Sequence, residues 1–327
     1  MLLKDHSEGD DLDIVLIVRD AEVRQKSDGG DFLKLTLGDR TGTVTAMVWE
    51  VSPALQELCQ RGNPVHVHGR YEVHARWGPQ IKVRALRVPH PDAYREGDLF
   101  DGPPRAPEQM EADLQELIGT VRNPHLARLL AALLGPETPT GRRYREAPAA
   151  KHYHQAYRHG LLEHSLSVAQ SVSAISATFP GIDRDIAVTG ALLHDIGKLD
   201  AYAADPCGID MTDAGRLQGE IPLGYYRVRR VIEDLDGFPA DLTQAVGHII
   251  LSHHGSLEHG SPVVPATREA TLVHMIDNLG GRLGSFDRLE KALAPGAVWS
   301  GFDRALGASG YFGAIADDAP PPAAQAA

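Results

Sequence analysis

A histidine followed by an aspartate, His194-Asp195, lies in the run Ala-Leu-Leu-His-Asp-Ile-Gly-Lys (191–198), which is otherwise apolar enough to be buried. Desolvating a carboxylate and an imidazole without partners costs on the order of several kcal/mol. Any fold that inters this segment must therefore bring charged or polar groups to it. A divalent metal is the usual partner, because imidazole and carboxylate are both ligands. The alternative is a surface dipeptide, and the rest of the chain decides between them.

The 327 residues suffice for two compact domains at roughly 150 residues each. No apolar run approaches the ~20 residues of a membrane span, and residues 1–13 are too acidic for a signal peptide. Cys59 and Cys207 make no disulfide framework, so a reducing cytoplasm is expected. A net charge of −12 argues against a general nucleic-acid coat protein. The charge is uneven, however: Arg61, Arg70, Arg76, Lys82, Arg84 and Arg87 face only Glu72 in between. That basic block reads either as a nucleic-acid-binding surface or as a solvated strand face.

Residues 12 to about 90 follow strand patterning, with runs at 13–18, 32–37, 44–49, 64–71 and 80–86 and a short helix at 53–59. Five strands with one interposed helix suit a small Greek-key barrel of the OB type. The Pro- and Gly-rich stretch 92–110 reads as a linker. Beyond it the period becomes helical, with Leu114, Leu117, Ile118 and Val121, then Leu126, Leu129, Leu130, Leu133 and Leu134. The expected organisation is a barrel over 1–91, the linker, a helical connector over 111–149, an all-helical domain over 150–294, and a C-terminal segment 295–327. The Ala- and Pro-rich tail 314–327 reads as disordered.

In the helical part, Leu161, His164, Val168, Val172 and Ile175 share one stripe, so His164 points into the core. Leu242, Val246, Ile249 and His253 repeat the construction, with His254 adjacent. A last helix after Pro265 carries Leu272, Ile276, Leu279 and Leu283 on its apolar face, bordered by Asp277. Four segments thus each present a His or Asp to the interior, and convergence on a metal accounts for them better than coincidence. His248 is rotated off the ligand stripe and reads as structural. His66, His68 and His74 suit a wet strand face. Phe32, on an alternating strand, is expected in the core.

Two resemblances follow from these residues. Leu-Gly-Asp-Arg-Thr-Gly-Thr-Val (37–44) with Trp49, Val-His-Val-His-Gly-Arg-Tyr (65–71) and Gln80-Ile81 resembles a nucleic-acid-binding OB domain of the tRNA-anticodon type. Over about 150–290, Gly-Leu-Leu-Glu-His, His-Asp-Ile-Gly-Lys, Leu-Ser-His-His-Gly and a late Ile-Asp resemble the HD-domain metal-dependent phosphohydrolases. The whole order, OB then HD, looks like the YhaM-type 3′-to-5′ exoribonuclease family. Two departures stand out. Gly219-Glu220-Ile221 replaces the family's frequent Gly-His-Ile, and His159 stands where the family usually has glycine.

The resemblance implies a metal-dependent exonuclease with an OB barrel that captures single-stranded RNA or DNA. His164, His194, Asp195 and Asp277 would hold one ion, and His253, His254 and Glu220 a second, with Glu220 either ligand or merely solvated. Manganese is the expected metal, with magnesium, iron and zinc as alternatives and one or two ions bound. Asp195 and Lys198 are the catalytic candidates, Lys198 either meeting a phosphate or facing water. His154, Arg158 and His159 are weaker substrate candidates. In the barrel, Trp49, Arg70, Tyr71, Arg76, Trp77, Lys82 and Arg84 supply the stacking rings and cations that single strands require; Trp49 reads equally as core. The rival functions are hydrolysis of small or cyclic nucleotides and non-catalytic strand binding. No membrane partner is expected, and homo-oligomerisation is left open.

Overall fold

The computed structural model describes residues 2–26, 29–75, 77–151, 155–205, 208–294 and 296–313. Strands β1 (Asp11–Gln25), β2 (Asp31–Asp39), β3 (Gly42–Val48), β4 (Pro64–His74) and β5 (Gly78–Arg87) close into a barrel ordered β1-β2-β3-β5-β4, with α1 (Pro53–Leu58) between β3 and β4. Only the β3–β5 pairing is parallel. Strict alternation sends Leu12, Ile14 and Leu16 of β1, Leu33, Leu35 and Leu37 of β2, and Val65 and Val67 of β4 into the barrel core. Because 33, 35 and 37 take the inward positions, Phe32 is forced outward, contrary to the expectation of a core residue. Its ring lies 5.1 Å from that of Trp49, which is 56% exposed.

A bulge in β1 between Val18 and Asp20 turns Arg19 out of the ladder toward the linker. There its guanidinium donates to the Leu99 carbonyl at 2.9 Å and covers the Phe100 ring. The β2–β3 turn is fixed by the Asp39 carboxylate, which accepts from the backbone N–H groups of Leu3 and Thr41. Arg40 in that turn donates its own N–H to the Asp98 carbonyl. Barrel and linker are thus tied at two points.

After α2 (Glu96–Leu99) the chain becomes helical: α3 (Pro107–Gly119), α4 (Pro124–Leu134) and α5 (Pro139–Glu146), each opened by a proline in its first turn. For that reason α3 begins inside the stretch read as linker. Next come α6 (Gly160–Ser176), α7 (Arg184–Leu193), α8 (Lys198–Ala201), α9 (Asp213–Gln218), α10 (Glu220–Glu233), α11 (Ala240–Ser252) and α12 (Arg268–Lys291). They share one core, to which α6 contributes Leu161, Val168 and Val172, α11 Val246 and Ile249, and α12 Ala270 and Val273.

A hairpin of β6 (Tyr202–Asp205) with β7 (Gly208–Met211) interrupts the part read as all-helical, and a second, β8 (Trp299–Asp303) with β9 (Ala308–Tyr311), lies in the C-terminal segment. The apolar face expected on α12 is also corrected. Ile276 is buried, whereas Leu279 and Leu283 are about half exposed and line a cleft. Residues 314–327, read as a disordered tail, lie outside the described residues. Among the described residues, no helix is long and apolar enough to cross a membrane.

Candidate metal centre

Four elements deliver the polar groups. His164 sits in the first turns of α6, and His194 and Asp195 in the turn that follows α7. His253 caps the C-terminus of α11, and Asp277 lies near the middle of α12, next to the buried Ile276. The α7 end is held by Tyr144 of α5, whose buried hydroxyl donates to the Leu192 carbonyl at 3.0 Å. His164, His194, Asp195 and His253 are all buried.

The donor atoms converge. His164 Nε2 lies 3.2 Å from His194 Nε2, 3.2 Å from Asp195 Oδ2 and 3.0 Å from Asp277 Oδ1. His194 Nε2 lies 3.4 Å from Asp195 Oδ2 and 3.7 Å from Asp277 Oδ1. Donors placed about 2.0–2.2 Å from a common centre have separations of this order. Among the described residues, His164, His194 and Asp277 each offer an atom within 4.8 Å of the others.

The tautomers sharpen the point. Nδ1 of His194 meets the Ala191 carbonyl at 2.7 Å, so it is the protonated nitrogen and Nε2 carries a lone pair. Nδ1 of His253 meets the Ile250 carbonyl at 2.8 Å, and Nδ1 of His254 the His259 carbonyl at 2.8 Å. Lone pairs and carboxylate oxygens therefore face one another in a desolvated space, which only a cation can relieve. Without a metal a proton takes that part. Burial disfavours the His194 imidazolium, but the Asp195 charge and hydrogen bonds to Asp195 and Asp277 outweigh it and push its pKa up to about 10. Burial likewise opposes ionisation of Asp195, yet Lys198 and His194 hold it well below the usual carboxylate range.

Asp195 Oδ1 and His253 Nε2 are buried, 3.5 Å apart, and neither has a hydrogen-bond partner. Both are acceptors, so the orphaned pair fits a cation as well. Beside it, His254 Nε2 lies 3.7 Å from Glu220 Oε1 at the start of α10. Glycine at 197 allows this approach, since a Cβ there would stand 1.9 Å from the Glu220 carbonyl oxygen. Lys198 does not face water: Nζ donates to Asp195 Oδ2 at 2.6 Å. His248 points elsewhere, accepting from the Ala266 N–H.

Of the weaker substrate candidates, Arg158 pairs with Glu146 at 2.9 Å. His159 has a left-handed φ of 70°, a conformation that favours glycine, and its Nδ1 meets the Arg145 carbonyl at 2.7 Å. His154 and Arg76 lie outside the described residues. Two cavities flank the linker. One of about 1200 Å³, bounded by Arg40, Phe100, Leu279 and Leu283, reaches Gln155 and His164. The other, about 1180 Å³, runs from Arg19 and Arg40 past Arg143 and Lys151 to Lys198 and Tyr202.

On the barrel, Arg70, Lys82, Met47, Lys34 and Glu22 are register neighbours across β4, β5, β3, β2 and β1. Next to that row stand the exposed Trp49 and the half-buried Phe32 and Lys26, the Lys26 Nζ lying 5.7 Å from the Trp49 ring. Arg84 is engaged by Asp11 at 2.9 Å. Tyr71 packs half-buried on the barrel core, and Trp77 is 66% exposed at the β4–β5 turn. Sequence reasoning missed Phe32, Lys34 and Lys26. The alternation of β2 carried the signal, because fixing Leu33, Leu35 and Leu37 inward fixes Phe32 and Lys34 outward.

The HD domain family matches residues 161–281, the segment that holds all the converging donors. The 3′-5′ exoribonuclease YhaM of Geobacillus sp. (strain WCH70) is 31% identical over 290 residues, covering 88% of this chain and 87% of the relative. That of Shouchella clausii (strain KSM-K16) is 29% identical over 297 residues, 90% and 91% of the two chains. With the HD match at the ligand-bearing helices and a curated relative aligned along barrel and helices alike, the chain belongs to the YhaM 3′-5′ exoribonuclease family.

Proposed function

We propose that this protein is a metal-dependent 3′-5′ exoribonuclease that binds single-stranded RNA on its barrel and hydrolyses it in the helical domain. The observation that carries the reading is the division of one carboxylate. Oδ2 of Asp195 belongs to the group of His164, His194 and Asp277, and Oδ1 faces His253. In the reading, the first group holds one ion, and His253, His254 and Glu220 with Oδ1 a second. Glu220 is a hard donor and favours manganese or magnesium over softer ions.

Bound divalent cations supply the positive charge that receives a phosphodiester and lower the pKa of water enough to provide a nucleophile near neutral pH. The protein's own groups prepare this. The backbone carbonyls at 191 and 250 fix the two imidazoles with their Nε2 lone pairs inward. Lys198 donates to Asp195 and orients it, and it also borders the cavity by which a phosphate would arrive. Burial excludes bulk water from the donor cluster. On the barrel, Trp49 and Phe32 offer rings for bases, and Lys34, Lys82 and Arg70 offer cations for phosphates. Arg40, in the turn at the barrel end, borders both cavities and so stands on the route from barrel to metal.

The test is a metal-titrated degradation ladder on single-stranded RNA labelled at its 5′ end, run beside mononucleotide and cyclic dinucleotide substrates. Stepwise shortening from the 3′ end, abolished by chelator and restored by manganese, is expected. Turnover of the small nucleotides without shortening of RNA would replace this reading with a nucleotide phosphohydrolase.

A further inference from the structure

Among the histidines of the centre, His164 is held differently. His194, His253 and His254 each fix Nδ1 on a backbone carbonyl within their own helix end or the adjoining loop. His164 instead sets Nδ1 3.1 Å from Oε1 of Gln155, a side chain nine residues earlier in the loop before α6. That loop is under backbone strain. Among the described residues, Gln155 (φ 58°) and His159 (φ 70°) are the non-glycine residues with positive φ, and they lie four positions apart. Such conformations cost about 1–3 kcal/mol each and persist only where surroundings over-determine them.

The surroundings do so here. The Gln155 carbonyl accepts from the Ala149 N–H at 3.1 Å. It also packs on Gly160, where a Cβ would stand 2.0 Å from its oxygen. Tyr157 donates its hydroxyl to Glu163 at 2.5 Å, Arg158 pairs with Glu146, and His159 meets the Arg145 carbonyl. These ties hold the loop to α5 and α6 and leave the Gln155 amide over His164.

We infer that Gln155 is a positioning residue that holds His164 in the one tautomer able to ligate the first metal. The inference rests on the metal-dependent reading above. An amide oxygen facing Nδ1 requires the proton there and leaves the lone pair on Nε2, amid Asp195, Asp277 and His194. The opposite amide orientation would place hydrogen on Nε2 and abolish ligation, so acceptor character at position 155 is what matters. A glutamate there would keep it, and a leucine of similar size would remove it.

The test compares wild type, Gln155→Leu and Gln155→Glu by manganese affinity, measured by calorimetry on metal-stripped protein, with thermal unfolding of the metal-free forms and RNA kinetics alongside. Loss of a group that orients a metal ligand lowers affinity about 10–100-fold. That loss is expected for Gln155→Leu, with the unfolding midpoint of the metal-free protein and the KM for RNA unchanged and kcat reduced. Gln155→Glu is expected to bind manganese within a few-fold of wild type. Gly160→Ala, which touches no ligand, should displace the Gln155 carbonyl and lower affinity in the same direction. Wild-type affinity in Gln155→Leu, or a raised KM with unchanged metal binding, overturns the inference while leaving the hydrolase reading intact. A wild-type protein that takes up no divalent ion overturns both.

Discussion

Oδ1 of Asp195 and Nε2 of His253 face each other at 3.5 Å, both buried, with no hydrogen bond between them. His253 spends its ring proton on the Ile250 carbonyl, so the contact is acceptor against acceptor. The other oxygen of Asp195 is crowded by three nitrogens, Nε2 of His164, Nε2 of His194 and Nζ of Lys198. A single aspartate thus joins two polar clusters.

Asp195→Ala removes that junction. It is expected to lower RNA hydrolysis by about 10³-fold or more, the upper end for loss of one charge-stabilising group. Strand affinity should stay within a few-fold, because the barrel is untouched. A degradation ladder and a binding isotherm on one preparation check both halves. Retained turnover at saturating manganese would contradict the assigned role.

The barrel face gives a salt-dependent prediction. Removing the Trp49 ring should weaken single-strand binding by about 5- to 150-fold, the worth of one base stack. Lys34→Ala and Lys82→Ala should each reduce the slope of log affinity against log salt by about 0.7, as for one lost single-strand phosphate contact. Arg84→Ala should do less, since Arg84 already pairs with Asp11. Fluorescence anisotropy across a salt series measures all four variants.

How far the sequence reaches is visible in β2 and α12. Period-2 alternation locates β2, but a strand has two faces. Only the barrel's closure decides that Leu33, Leu35 and Leu37 are inside and Phe32 outside. On α12 the helical stripe continues past Ile276 to Leu279 and Leu283, yet the core ends first and these leucines border a cleft. Of the candidate donors, His164 and His253 are legible because each sits on an otherwise apolar helical stripe, and His194-Asp195 because the pair interrupts an apolar run. Gln155 is not, since it lies in a loop without periodicity and acts only through a contact nine residues away.

Lys198→Met probes the structural part of the Lys198–Asp195 pair. Burial disfavours the ammonium, but Asp195 outweighs it and raises the Lys198 pKa, so the pair stays ionised. Breaking one partner of such a nearly buried pair costs about 3–5 kcal/mol. In metal-free protein the variant should lose stability toward that lower end. Added manganese should recover more stability than it gives wild type, because a divalent cation supplies the missing charge. Urea unfolding with and without metal reads the difference.

Cys59 reports on the barrel. Burial against the barrel core pushes its thiol pKa up from the ordinary 9.0 to about 11. The folded state therefore favours the neutral thiol. That contribution to stability is fully present below pH 9 and is lost as pH rises through 11. The thiol is expected to resist alkylation at pH 8 until the barrel unfolds. A Cys59→Ala variant should show a shallower loss of barrel stability between pH 9 and 11.

In the proposed reading, Glu220 decides how many ions the centre holds. It opens α10, brought against the His-Asp turn by the bare Gly197, and its Oε1 lies 3.7 Å from His254 Nε2. Burial pushes the His254 pKa below the ordinary imidazole value, which favours the neutral ring with a lone pair to offer. With Asp195 Oδ1 and His253 Nε2 unsatisfied beside them, the set offers two imidazoles and two carboxylates. Wild type should therefore bind two manganese ions, counted by calorimetry with elemental analysis. Glu220→Ala should bind one, because the group of His164, His194 and Asp277 does not involve position 220. Glu220→His should restore the second ion with a preference moved from manganese toward metals that imidazole suits, such as zinc or nickel. Two manganese ions retained in Glu220→Ala would show the carboxylate to be a solvated bystander.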